Sequence, residues 1–291
     1  MSEHDTFHTE EHDDITGLVL SGGGARAAYQ VGVLHQLAKW FEQENKREFD
    51  FPFKILCGTS AGAINAAALA CAGRNFYQST ERMLKVWENF SSDQVFRSDS
   101  LGIIRTGARW LSALSIGWML RKRPKCLLDN TPLSHLMHQL LHFRRLDEAL
   151  ENGTIHALAV TASSYSSGRS VTFFQTQKVI ESWARTQRVA LPDRITVEHL
   201  LASAAIPFVF PAVKLNIEGR MEHFGDGSIR QLAPISPAIH LGANRVMVIG
   251  SSQSDKDHTE RVEIQNAYPS LAQIAGHAMA SIFLDSLSID I

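Results

Sequence analysis

Twice near its start the chain runs from a short apolar segment, through a turn of small residues, into a helical pattern. This repetition constrains the fold more than any other feature. The first unit is ITGLVL, residues 15–20, stopped by SGGGA; an apolar run bounded by turn residues reads as a buried strand. Behind it Val31, Leu34, Leu37, Ala38 and Phe41 recur at the spacing of one helix face, through about residue 44. The second unit is FPFKILCG, residues 51–58, followed by SAGAINAAALACAG, an alanine-rich helix ending at Gly73. Strands alternating with helices across tight turns build a parallel sheet with helices on its faces. Sites in such folds form at the carboxyl ends of the strands.

Downstream, IHALAVTA (155–162) and VTFF (171–174) read as strands and TVEHLLASAA (196–205) as a helix stopped before Pro207. VKLNI and MEHF flank an EGR turn, predicting a hairpin that delivers Asp226 just past its second strand. RVMVIGSS, 245–252, reads as another core strand. The pattern from 268 to 291 stays helical with no stop signal, which predicts that the natural chain continues or has lost a tail.

With 291 residues the chain is long enough for a substantial core, and residues 15–291 are read as one catalytic domain. A net charge of −2 offers no basic face for nucleic acid. Cys57, Cys71 and Cys126 are too few and too scattered for a disulfide framework or thiolate zinc site, which points to a reducing, cytoplasmic setting. Residues 1–14 are acidic and polar and read as a disordered leader; its His4, His8 and His12 lack apolar residues to hold a metal-binding helix in place.

Within 95–130, read as a lid or insertion, LGIIRTGARWLSALSIGWML begins the stretch 101–125 and is nearly long enough to span a bilayer. Arg105 and Arg109 inside it argue against spanning. The RKRPK that follows fits a helix lying on an anionic membrane surface, such as the inner face of the cell membrane. The alternative is an internal helix whose Trp110, Leu114 and Trp118 pack on the core.

The chemistry-bearing motifs fall on the turns. GTSAGA matches G-x-S-x-G between a strand and a helix, the setting of a nucleophile elbow around Ser60. Gly58 and Gly62 leave the room that such a sharp turn needs, and the amides of the following helix face charge developing beside Ser60. The competing reading is a small-residue turn with an inert serine. SGGGARAA exposes backbone N–H groups and suits an anion, here a tetrahedral oxyanion. Gly22, Gly24 and Ala27 also fit the dinucleotide fingerprint G-x-G-x-x-A, but the next strand ends in Cys57 and Gly58 where a ribose-binding acid is required. For the base, a serine–acid–histidine order leaves His240, His258 and His277 as candidates with Asp226 as the acid. Alternatively Asp226 takes the serine proton directly, its basicity raised by a desolvated site. The plain reading of Asp226 is a turn aspartate, and of His223 an ordinary strand histidine.

GGGARAAYQVGVL, GTSAGAINA and DGS, in that order, together with ASAAIPFVFPAV and TASSYSSGRSVTFF, resemble the patatin-like phospholipase family over roughly residues 15–250. The resemblance implies a three-layer α/β/α sandwich around a mainly parallel sheet, and a Ser–Asp dyad that needs no histidine. It makes Ser60 the nucleophile, Asp226 the base, and the backbone of Gly22, Gly23 and Gly24 the oxyanion hole. Arg26, Gly58, Gly62 and Gly227 become supporting residues, with Arg26 expected to order the glycine loop. The implied substrate is a lipid or other acyl ester, with no metal or organic cofactor. A soluble esterase, thioesterase or acyltransferase on the same dyad is the alternative, and a non-enzymatic regulator keeping the fold is the third. Three positions depart from the family pattern: Ala27 and Phe208 stand where Gly is usual, and Ser228 where Gly or Ala is.

Overall fold

The computed structural model describes residues 14–44, 51–73, 75–97, 126–231 and 234–250. The first unit forms strand β1 (Thr16–Leu20) and helix α1 (Ala27–Glu44); the second forms β2 (Ile55–Thr59) and α2 (Ala61–Ala70). β1 and β2 pair in parallel, β3 (Ala157–Ser164) adds to β2, and β9 (Arg245–Ile249) adds to the far side of β1. These four strands make the parallel centre of the sheet.

Beyond β3 the pairing changes. β4 (Ser170–Thr176) returns antiparallel, then β6 (Arg188–Pro192) pairs in parallel with β4, and β5 (Trp183–Arg185) closes that edge. The hairpin of β7 (Val213–Ile217) and β8 (Arg220–Gly225) attaches through β8 to the last residues of β3. The remaining described α-helices are α3 (Phe76–Glu88), α4 (Thr131–Leu140), α5 (Phe143–Glu151), α6 (Val197–Ser203) and α7 (Ser236–His240).

Alternation along the strands sorts the core into two faces. Leu18, Leu20, Leu56, Leu158, Val160 and Phe173 pack with residues of α1 to α6. Val19, Ile55, Cys57, Ala157, Ala159 and Phe174 pack with Ala238, Leu241 and Ala243 at α7. Both faces are covered, so the central strands carry near-continuous apolar runs. This is the α/β/α layering expected from the sequence, with most of the described helices on one side.

The second strand begins later than its apolar run predicts. Phe51 and Phe53 are buried but pack edge-on against Phe76 of α3, at 5.5 and 5.7 Å between ring centres. Hydrophobicity marks them as core without making them sheet. Residues 1–13 of the leader, 98–125 of the expected lid, and the expected helix at 268–291 lie outside the described residues. Among the described residues, no helix is long and apolar enough to cross a membrane.

Candidate active site

Both early turns lie at the carboxyl ends of adjacent parallel strands, which brings them side by side. The turn after β2 is forced into an unusual backbone: Ser60 has φ 54° and ψ −129°. A non-glycine residue holds such a conformation at a cost of about 1–3 kcal/mol, so the surroundings must impose it. They do so by close approach. A side chain on Gly62 would drive into the carbonyl oxygens of Leu20 and Ser21, and Gly58 and Gly227 face backbone just as tightly. The Ser60 N–H donates to Ser203 Oγ at 2.8 Å, and that hydroxyl donates to the Thr161 carbonyl at 2.6 Å. The elbow is thereby tied to α6 and β3.

The β7–β8 hairpin delivers Asp226 to this point. Its N–H donates to the Ala205 carbonyl at 2.9 Å, and its carboxylate is fully buried. Ser60 Oγ donates to Asp226 Oδ2 at 2.6 Å, and the Ser228 N–H donates to Oδ1 at 2.9 Å. Burial pushes the Asp226 carboxyl up to about 6, while the hydrogen bonds from Ser60 and Ser228 pull it down. A carboxylate poised there is a far better match for accepting a proton near neutral pH than an exposed one.

The first turn lies against this pair. Gly22 is so close that a side chain there would strike Ser228 Oγ and put its first carbon 3.1 Å from Ser60 Cβ. Gly24, at φ +56°, opens a short 3-10 turn through Arg26. Among the described residues the N–H groups of Gly23 and Gly24 make no hydrogen bond. Ser60, Gly24 and Ala25 border a cavity of about 880 Å³ whose walls come from α2, α3 and α4, including Ile64, Met83 and Leu133. Its volume lies in the range of drug-sized ligand sites.

Two residues that motif reading passed over hold the glycine turn. Gln30 Nε2 donates to the carbonyls of Ser21 at 2.8 Å and Ile249 at 3.2 Å. Asn65 Nδ2 donates to the Ala27 carbonyl and to Gln30 Oε1, both at 3.0 Å, and Trp87 Nε1 donates to Asn65 Oδ1 at 3.0 Å. The available signal was a polar residue on each apolar helix face: Gln30 beside Val31 and Leu34, and Asn65 in an alanine run.

Arg26 takes no part in this network. The Arg26 side chain is exposed and makes no hydrogen bond or ion pair among the described residues, so the loop is ordered from within by Gln30 and Asn65. The histidine candidates also separate. His240 stacks on Trp183 at 5.0 Å with its Nδ1 against the Ser236 carbonyl, and His223 is exposed on β8. His258 and His277 lie outside the described residues. No described histidine hydrogen-bonds to Ser60 or Asp226. Phe208 occupies the glycine-type position with φ 66°, where its backbone shape is the one glycine adopts freely.

A model of the family described as patatin-like phospholipase matches residues 18–239, well over half of the chain. None of the curated proteins matches the sequence. VipD from Legionella pneumophila is similar in structure at 15% identity and TM-score 0.45, over 91% of this chain and 52% of that one. The type III effector protein ExoU is similar at 14% identity and TM-score 0.37, over 94% of this chain and 52% of that one. A chain of the full-length SpcU–ExoU complex from Pseudomonas aeruginosa gives 19% identity and TM-score 0.32, over 55% of this chain and 34% of that one. The chain thus spans about half the length, or less, of these solved structures.

Proposed function

The chain belongs to the patatin-like phospholipase family, and from that premise we propose that it is a lipid acyl hydrolase whose nucleophile is Ser60 and whose base is Asp226. The observation that carries this reading is the 2.6 Å hydrogen bond from Ser60 Oγ to a fully buried Asp226 carboxylate. It rests on the wall of an apolar cavity large enough for an acyl chain. On this reading the described residues between 14 and 250 belong to one catalytic domain. The reaction is hydrolysis of a carboxylic ester.

In the first half-reaction Ser60 Oγ attacks the ester carbonyl carbon while its proton passes to Asp226 Oδ2. The tetrahedral oxyanion lies against the N–H groups of the Gly22–Gly24 turn and is stabilised there without reorganisation. The carbon–oxygen bond to the alcohol then breaks and the alcohol leaves with the proton, giving an acyl-serine. In the second half-reaction water attacks that acyl carbon and gives its proton to Asp226. The bond to Ser60 Oγ breaks, Ser60 recovers the proton, and the fatty acid departs.

The experiment is labelling by a fluorophosphonate serine probe together with hydrolysis of phospholipids, lysolipids, acylglycerols and acyl thioesters. Native protein should label and hydrolyse, and Ser60→Ala should do neither. Failure of native protein to label, with a known serine hydrolase labelled in parallel, sinks the reading. Asp226→Asn supplies an independent check with an opposite sign for stability. A carboxyl whose folded value is raised to about 6 binds its proton more tightly in the native state. Native stability therefore falls as pH rises from the unfolded value near 4 to about 6, and the loss is complete above that. At pH 8 Asp226→Asn should lose activity yet unfold about 1–3 kcal/mol less easily than the native protein. Rate should fall below about pH 6 in the native enzyme, where Asp226 holds its proton.

A further inference from the structure

Ser228 is 4% exposed, and among the described residues its hydroxyl is one of two buried side-chain polar atoms without a hydrogen-bond partner. An orphaned buried hydroxyl carries a desolvation cost that an alanine or glycine would not. Its position is specific: the Ser228 N–H already donates to Asp226 Oδ1 at 2.9 Å, and its Oγ is the atom that a side chain on Gly22 would strike. The hydroxyl therefore sits in the wedge between the carboxylate and the glycine turn, beside Ser60. It is near enough to the carboxylate to hold the Asp226 carboxyl down somewhat, yet its resting geometry makes no hydrogen bond.

The catalytic cycle gives such a group a moment of use. In the resting site Oδ2 accepts from the Ser60 hydroxyl. Once Ser60 is acylated that oxygen has no hydrogen to donate, and Asp226 would stand buried and ionised with one donor fewer. We propose that Ser228 is a positioning residue whose hydroxyl turns to donate to the Asp226 carboxylate in the acyl-enzyme, replacing the hydrogen bond that acylation of Ser60 removes. No covalent step involves Ser228: water still gives its proton to Asp226, and Ser60 still recovers it as the acyl bond breaks. The inference rests on the dyad reading above.

Other groups near Asp226 do not supply this effect. Tyr165, whose hydroxyl lies over Gly225, has its ionisation pushed up by burial and then by the Asp226 charge, further out of the working range. Cys57 on β2 is pushed up to about 12 by burial. Arg230, at the end of the same turn, and His199, on α6, are not among the causes that shift Asp226.

The test is the pH dependence of Ser228→Ala and Ser228→Gly on a chromogenic p-nitrophenyl acyl ester, read in two phases. The burst of nitrophenol reports acylation, and the steady state reports deacylation. Removing a donor to the ionised form raises the carboxyl, so the acid limb of deacylation should move to higher pH. Little movement is expected for acylation, where the hydroxyl makes no hydrogen bond and Ser60 donates, and roughly 0.5–1 pH unit for deacylation, where Ser60 cannot compensate. Acid limbs that stay in place, or equal movement in both phases, overturn the proposal. Should Ser228→Gly fold poorly, Ser228→Ala carries the same comparison with less change of backbone. Native protein with no burst and no labelling of Ser60 defeats the dyad itself, whereas an intact burst with unmoved limbs defeats only the role of Ser228.

Discussion

The two strand–turn–helix units share one local pattern and use it in opposite ways. After β2 the turn is held by exclusion: backbone from the neighbouring strand crowds Gly62 so closely that the chain must pass through Ser60 at φ 54°. After β1 the turn is held by attachment. Among the described residues no atom lies within 4 Å of the place a side chain on Gly24 would occupy, and order comes from the Gln30 and Asn65 amides reaching in from two helices. On the proposed reading the nucleophile needs one strained direction, which steric exclusion supplies. The proposed oxyanion cradle needs N–H groups left over, which among the described residues Gly23 and Gly24 have in a turn tied down at its ends.

The largest effect should come from filling the excluded space. Gly62→Ala places a carbon against two backbone carbonyl oxygens that no side-chain rotation can move. We expect a loss of about 3 kcal/mol or more in chemical denaturation, and loss of probe labelling as the elbow shifts. A fully labelled, stable Gly62→Ala would show that the elbow is not held sterically and would remove the contrast between the turns.

Next comes cutting the attachment. Asn65→Ala leaves the Ala27 carbonyl, the Gln30 side chain and the Trp87 N–H each short of a partner. The expected cost is about 1–3 kcal/mol. Rate should suffer more than binding if, as proposed, the loosened element stabilises the transition state. A fall of about tenfold in kcat with little change in KM is expected, smaller than the 10²–10³ typical of deleting an oxyanion donor outright. A change confined to KM would assign Asn65 to the cavity wall instead.

How much of this was legible in the sequence follows from the same distinction. The units themselves were readable because period-2 and period-3.6 apolar patterns and small turn residues are local signals, and Ser60, Asp226 and the glycine turn fell where those signals placed them. The start of β2 was misread because Phe51 and Phe53 are as apolar as strand residues, although their partner is Phe76. The supports were not legible. Ser203 lies 143 residues from the Ser60 N–H it accepts from, and Asn65 lies 38 residues from the Ala27 carbonyl. A serine or asparagine in an alanine-rich segment has no local mark of such a partner. The uncharged Gln30, four residues past Arg26, carries no motif signal either, yet its amide holds the Ser21 and Ile249 carbonyls.

The smallest expected effect gives the finest test. Gly24→Ala adds a methyl group at φ +56° with open space around it, so the cost is backbone strain alone, about 1 kcal/mol. That is a modest fall in thermal midpoint with the core untouched. If the turn only needs to be tied at its ends, the Gln30 and Asn65 bonds will keep it in place, and probe labelling should slow by no more than about tenfold while the acid limb near pH 6 stays where it is. If glycine's backbone freedom at this position is itself what aims the N–H groups, labelling should fall a hundredfold or more at that same small cost in stability. The second outcome would mean that the first turn, like the second, is specified by a strained conformation, and that attachment secures it without shaping it.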